Sequence, residues 1–300
     1  MPTTQVEKRK RRSKQAGAEA ATGARQEDWA FFVGNATLLL RMGPFIVLTD
    51  PNFVHRGAEV PLGFGLTATR TTDPALDIDD MERPDLVIVS HDHGDHFDAV
   101  AADWLDRSVP IATAPAAVSG MVEKGFTDVR GLQSWESTEL DRDDARLRVT
   151  AVPAQHGSGP MAAAMPEVIG SVLEYWEAGA GEPADAEPRY RVYFSGDTVF
   201  HEGLAEIRDR FGEVDVAFLH LGGMRLLGVT VTMDAAQGVQ LINLLQPRLA
   251  IPIHYNDYGT SSSTLAEFVT AVNEAGLAGR VRYLRHGDAW PLAGRTAGGS

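Results

Sequence analysis

The sequence predicts a layered α/β body, with helices lying outside β-sheets. Three observations carry that expectation. Apolar runs of strand length recur from Trp29 onward. Several of them are nearly continuous rather than alternating, as strands buried on both faces must be. Segments with helical spacing lie between them, which is the arrangement of a sheet protein covered by helices. A chain of 300 residues can bury one large core, or at most two small ones.

In chain order, residues 1–28 read as a disordered basic tail, polar and short of large apolar side chains. Residues 29–292 read as the catalytic body and 293–300 as a flexible end. The run KRKRRSK is followed by QAGAEAATGA, too polar for the apolar stretch of an export signal, so a cytoplasmic location is expected. The strand runs are FFVG, TLLL, FIVL, LVIVS, LRVTAVP, SVLEYW, RVYFS, VAFLHL and LAIPIH. Helical patterns cover 98–106, 116–124, 201–211, 234–245 and 263–275. Asp234 is the N-cap candidate for the fourth, and Ser262 or Ser263 for the fifth. The stretch GAGEPADAEPR has turn formers and no apolar anchor, and reads as a solvated hairpin loop.

Composition removes several functions. The chain has no cysteine, which excludes disulfides, thiolate zinc sites, iron–sulfur clusters and a cysteine nucleophile. No run approaches 18 apolar residues, so no membrane-spanning helix is expected. The formal charge is −14; residues 1–14 hold six Lys/Arg against Glu7, a net of +5, so the remainder carries −19. A body that acidic repels polyanions, and nucleic acid is not expected as a partner. Gly63-Phe64-Gly65-Leu66-Thr67-Ala68 imitates a dinucleotide loop but lacks a buried strand before it and a helix after it. It reads as a substrate-facing loop or an ordinary glycine-rich connection. There is no G-x-S-x-G elbow and no S-x-x-K, so a serine hydrolase has no support.

The chemistry concentrates in His91-Asp92-His93-Gly94-Asp95-His96-Phe97-Asp98, between a buried-strand run and a helical pattern. A strand-to-helix loop sets its side chains at the sheet rim, where α/β proteins bind ligands. Three imidazoles and several carboxylates in eight residues would be frustrated in a packed core, and make sense around a divalent cation. Imidazole suits Zn²⁺, Mn²⁺ or Fe²⁺. Three other apolar runs end in Gln155-His156-Gly157, Ser195-Gly196-Asp197-Thr198 and Pro252-Ile253-His254-Tyr255, each placing a candidate ligand just past a strand.

This H-x-H-x-D-H motif, with a later His, an S-G-D-T aspartate and a final His, resembles the metallo-β-lactamase superfamily over roughly residues 29–291. The resemblance implies an αββα sandwich, two mixed sheets with helices on the outer faces, and two divalent metal ions, zinc first and Mn²⁺ or Fe²⁺ as alternatives. It assigns His91, His93 and His156 to one metal, Asp95, His96 and His254 to the second, and Asp197 to both. The implied activity is hydrolysis of a small-molecule ester, lactone or phosphoester by a metal-bridging hydroxide, with Asp95 orienting it and carrying a proton to the leaving group. A phosphodiesterase acting on lipids or nucleotides is the alternative, and a non-hydrolytic metal-binding or redox module comes from a different class. Gly34-Asn35-Ala36-Thr37, Thr49-Asp50-Pro51-Asn52, Leu221-Gly222-Gly223 and the Ile253-His254-Tyr255-Asn256-Asp257 ending resemble the branch of ascorbate-6-phosphate lactonase-like and N-acyl-phosphatidylethanolamine phospholipase D-like enzymes. The diiron oxygen-reducing members typically carry a carboxylate where this chain has His93, together with a flavodoxin-like domain, and neither feature is found here.

Four histidines fall outside the ligand set. His220 ends an apolar run and is expected on the same rim, either as a hydrogen-bond donor to substrate or as a structural residue. His55 sits in a polar loop, with a lesser expectation of substrate contact. His201 and His286 read as surface or supporting residues. Asp50 follows a buried strand, so it either fixes a metal-bound imidazole or caps the turn before Pro51. Trp104, Trp135, Trp176 and Trp290 read as packing residues.

Overall fold

The computed structural model describes residues 27–63, 65–179 and 186–292. The basic run, most of the GAGEPADAEPR loop and the final eight residues lie outside the described residues. Strands β1 (Trp29–Gly34), β2 (Thr37–Met42) and β3 (Phe45–Thr49) form an antiparallel meander. A short hairpin follows, β4 (Glu59–Pro61) with β5 (Thr67–Thr69). Three parallel strands then extend from β3: β6 (Leu86–Val89), β7 (Ile111–Thr113) and β8 (Val129–Gly131). Helices α1 (Ala99–Trp104) and α2 (Val118–Glu123) lie in their crossovers.

The second sheet starts with the antiparallel strands β9 (Ser137–Arg142), β10 (Ala145–Pro153), β11 (Ile169–Trp176) and β12 (Tyr190–Phe194). Helix α3 (Pro160–Ala164) interrupts the connection after β10, and α4 (Ala205–Phe211) follows β12. β13 (Val216–His220) pairs parallel to β12. The small hairpin β14 (Arg225–Leu226) and β15 (Val229–Thr230) and helix α5 (Ala235–Leu245) lead to β16 (Leu249–Ile253), parallel to β13. Helix α6 (Leu265–Glu274) precedes β17 (Ala289–Pro291), which returns to the free edge of β1. The sheet orders are β17-β1-β2-β3-β6-β7-β8 and β16-β13-β12-β11-β10-β9.

The continuous apolar runs have their reason in the layers. In β2 every residue is buried: Leu38 and Leu40 face the core shared by the two sheets, and Leu39 faces the outer core. The shared core joins Phe32, Leu38 and Leu40 of one sheet to Val149, Leu173, Phe194 and Phe218 of the other. Phe97, Ala101, Leu105 and Met121 cover the outside of the first sheet. Ile207, Leu241, Ile242 and Phe268 cover the outside of the second. Each of the larger side chains (Val, Leu, Ile, Phe, Met) contributes ~1.5–3 kcal/mol relative to exposure, so this frame is rigid enough to carry irregular loops at its rim. The expected αββα layering is what the chain adopts.

Local differences from the sequence reading have physical causes. Helix α6 is capped by Thr264, not Ser262 or Ser263, because Thr264 and Glu267 form a reciprocal capping box. The glycine-rich segment is the tip of the β4–β5 hairpin, docked on the histidine loop by the Gly94 N–H, which donates to the Pro61 carbonyl at 2.8 Å. A Cβ on Gly94 would stand 2.6 Å from Pro61 Cδ, so only glycine permits this approach.

Candidate metal centre

The chain leaves β6 at Ser90 and immediately makes a compact turn in which the N–H groups of His96 and Phe97 both donate to the His93 carbonyl, at 3.0 and 2.9 Å. Asp98 closes the turn. Its Oδ1 caps α1 by accepting from Ala101 N–H at 2.8 Å, while Oδ2 accepts from Phe53 N–H at 2.5 Å and Val54 N–H at 2.6 Å. Asp98 therefore holds the loop to the segment after β3 and is not free for other chemistry.

The turn gathers the imidazoles. The His91 ring centroid lies 4.5 Å from that of His93, 4.2 Å from His96 and 5.1 Å from His156; His96 is 4.9 Å from His254. Donor atoms of His91, His93 and His156 lie within 4.8 Å of one another, and so do those of Asp95, His96 and His254. Asp197 forms a third such group with His91 and His96. The structure thus brings together all seven residues that the sequence singled out. His91 Nε2 and His93 Nδ1 are 2.9 Å apart. Nitrogens sharing a tetrahedral zinc ion stand roughly 3.3 Å apart, given Zn–N bonds of ~2.0–2.1 Å.

Supporting groups set which ring nitrogen faces inward. Asp50 Oδ2 accepts from His96 Nδ1–H at 2.7 Å, which turns His96 Nε2 toward Asp197 Oδ2 at 3.5 Å and Asp95 Oδ2 at 3.7 Å. Asp50 also accepts from Ser90 N–H at 2.6 Å and from the Ser90 hydroxyl at 2.8 Å. The Ser90 oxygen is then free to accept from His91 Nδ1–H at 3.0 Å. His156 Nδ1–H donates to the Val231 carbonyl at 2.8 Å, leaving Nε2 as its inward lone pair. Thr232 donates to Asp197 Oδ2 at 3.1 Å.

Three inward atoms have no hydrogen-bond partner although fully buried: Asp95 Oδ1, His96 Nε2 and Asp197 Oδ1. Buried polar atoms are normally paired, and an unpaired one costs ~1–3 kcal/mol. Lone pairs of carboxylates and imidazoles aimed at one another are what a divalent cation resolves, so these residues fit metal binding. Charge follows the same division. Burial, reinforced by His96 and its neighbours, pushes His91 well below the ordinary histidine range, and burial pushes His93 down to about 4. Burial also lowers His156. Burial thus favours the neutral form of all three rings, the form in which an imidazole can bind a cation. Burial acts in the same sense on His96 and His254, but Asp197 and Asp95 outweigh it and raise both. Burial opposes ionisation of Asp95, yet His96 and His254 hold it down at about 2.

The remaining candidates are placed as follows. His220 is fully buried at the end of β13, edge-on to Phe194, with Nδ1 3.0 Å from Ser195 Oγ and Nε2 3.6 Å from Asp50 Oδ2. It packs behind His96, with ring centroids 5.9 Å apart. His55 is exposed and lies by Asp73 and Asp77 at 3.4 and 3.5 Å, on a surface cleft lined by Phe53 and Ile78. His286 contacts Asp257 at 3.3 Å. Sequence reasoning missed Ser90, Thr232 and the Val231 carbonyl. Ser90 had a signal, a polar residue ending a buried strand directly before the motif; the other two lie in an irregular loop with none.

A family model described as the beta-lactamase superfamily domain matches residues 47–255 of this chain. A Deinococcus radiodurans protein named UPF0173 metal-dependent hydrolase is 28% identical over 262 residues, covering 87% of this chain and 97% of that protein. A Pelotomaculum thermopropionicum protein of the same name is 28% identical over 211 residues, covering 70% and 83%. Among solved structures, isothiocyanate hydrolase from Delia radicum gut bacteria superposes with a TM-score of 0.73 at 19% identity, over 89% of this chain and 99% of that one. The metallo-beta-lactamase fold protein YhfI from Bacillus subtilis superposes with a TM-score of 0.55 at 12% identity, over 88% and 99%. No helix among the described residues is long and apolar enough to cross a membrane. The family match begins in β3 and ends one residue past His254, so it spans every residue of the histidine–aspartate cluster: the chain belongs to the beta-lactamase superfamily and has the α/β metallo-β-lactamase fold.

Proposed function

We propose that this chain is a metal-dependent hydrolase that holds two divalent ions, with zinc the first candidate and Mn²⁺ or Fe²⁺ the others. His91, His93 and His156 hold one, Asp95, His96 and His254 hold the second, and Asp197 serves both. The observation that carries this reading is the set of unpartnered, buried and inward-facing atoms of Asp95, His96 and Asp197. When bound, such ions supply Lewis acidity and bring the pKa of a water from ~15.7 toward ~7. The chain's own residues do the rest. Asp95 is a carboxylate at neutral pH, and its free Oδ1 accepts a proton from the attacking water and passes it to the leaving group. Thr232 fixes one oxygen of Asp197 so that the other stays available. Ser90, Asp50 and Val231 hold the rings in one tautomer. His220, read in the sequence as either a donor to substrate or a structural residue, takes the second part, packed behind His96 with Nδ1 3.0 Å from Ser195 Oγ.

The substrate class is a small ester, lactone or phosphoester. Support comes from the resemblance of the Gly34–Thr37, Thr49–Asn52 and Ile253–Asp257 segments to the lactonase-like and phospholipase D-like branch. The test is a panel of lactones, carboxylic esters, phosphomonoesters, phosphodiesters and lactams, assayed before chelation, after it, and after zinc is returned. Turnover of an ester, lactone or phosphoester that disappears on chelation and returns with metal is expected. A protein loaded with two ions that turns over nothing on the panel would favour the non-hydrolytic metal-binding reading.

A further inference from the structure

The turn between β1 and β2 carries a residue that binds no metal yet touches two of the three ligands of the second position. The Asn35 side-chain N–H donates to the Asp95 backbone carbonyl at 2.7 Å, and its own carbonyl accepts from His254 N–H at 2.9 Å. Its N–H in turn donates to Asp257 Oδ2 at 2.8 Å. Asn35 is buried, with φ +51, and His254 has φ +62. Both are left-handed conformations that residues other than glycine rarely take, and they persist only where the surroundings over-determine them. The surroundings here are a buried anchor. Asp257 receives the Thr72 hydroxyl, Arg70 Nη2 at 3.5 Å and His286 at 3.3 Å, and Arg70 is pinned by the backbone and side-chain oxygens of Asn52 at 2.8 and 2.6 Å. None of these contacts reaches His91, His93 or His156; the His91 ring is held by Ser90 and the His156 ring by the Val231 carbonyl.

We infer that Asn35, braced by the Asp257–Arg70 pair, is a positioning residue for the second metal position alone. It sets the separation of the Asp95 and His254 backbones, and with it the gap between their inward atoms, His254 Nε2 and Asp95 Oδ2, which stand 3.3 Å apart. The inference rests on the two-metal reading above.

The experiment is a competition titration of the metal-free full chain with Zn²⁺ against a chromophoric chelator. Asn35→Gly keeps the left-handed backbone and both main-chain bonds, and deletes only the donor to Asp95. The second zinc equivalent is expected to weaken by about 10–100-fold, the range for supporting partners of metal ligands, while the first stays within about threefold. Asp257→Asn, which keeps an acceptor but loses the charge facing Arg70, is expected to give the same one-sided loss at about tenfold. This second variant carries the test if Asn35→Gly does not fold. Equal weakening of both equivalents, or no weakening of the second, overturns the inference and leaves the two-metal reading standing. A wild-type chain that takes up a single equivalent overturns both.

Discussion

Replacing Asp197 by alanine is expected to weaken both metal positions by more than about 100-fold, beyond the ~10–100-fold that supporting partners cost, and to abolish hydrolysis. Among the described carboxylates, Asp197 alone groups with histidines of both triads, His91 and His96. Its Oδ2 is 3.5 Å from His96 Nε2, its Oδ1 is 3.7 Å from His254 Nδ1, and it groups with His91 as well. Its position is fixed by the backbone: Gly196 before it has φ +61, and a Cβ there would meet the Ile169 carbonyl at 2.5 Å. Asp95→Ala should separate from it by depleting the second position and leaving the first. Elemental analysis and turnover of the Asp197→Ala protein check this. Two retained ions with undiminished activity would remove the shared role.

Replacing Asp50 by alanine is expected to be the most damaging single change to stability at the site, about 3–5 kcal/mol. The side chain is fully buried and accepts three hydrogen bonds, two from Ser90 and one from His96. Alanine leaves those donors buried without partners at ~1–3 kcal/mol each, with partial relief from relaxation. The His96 ring also loses the bond that selects its tautomer, so turnover should fall by about 10–100-fold in whatever fraction folds. Asp50→Asn keeps an acceptor for Ser90 and should fall between the two proteins. Urea unfolding of the metal-free chains reads the first effect. An unchanged midpoint and metal content in Asp50→Ala would show that the residue only turns the chain before Pro51.

Much of this was legible because burial writes itself into strands. Runs such as LVIV and VAFLH are apolar without alternation because helices cover the far side of each sheet, and their polar successors, Ser90-His91 and Ser195-Gly196-Asp197, fall at the rim. The seven clustered residues were readable for the same reason. His220 shows the limit. A histidine ending an apolar run could be read as a donor to substrate or as a structural residue, and only the fold shows its neighbours, Phe194, Ser195 and His96. The β4–β5 hairpin was illegible because its strands are three residues long with one buried side chain each. Asn35 was legible only as a member of the Gly34–Thr37 element and not as a support, since its partners Asp95, His254 and Asp257 are distant in sequence and meet it only in the fold. Thr264 was readable in principle: among the five consecutive hydroxyl residues 260–264 it alone has a glutamate three positions on.

By this proposal, seven side chains just past strands of two sheets form one site for two ions. Quantitative elemental analysis of the full chain, purified without chelator and supplemented in turn with Zn²⁺, Mn²⁺ and Fe²⁺, tests it most directly. The account predicts close to two ions per chain with at least one of these metals, since the cluster offers more donors than one tetrahedral ion accepts. A content that stays near zero under all three supplements would contradict it.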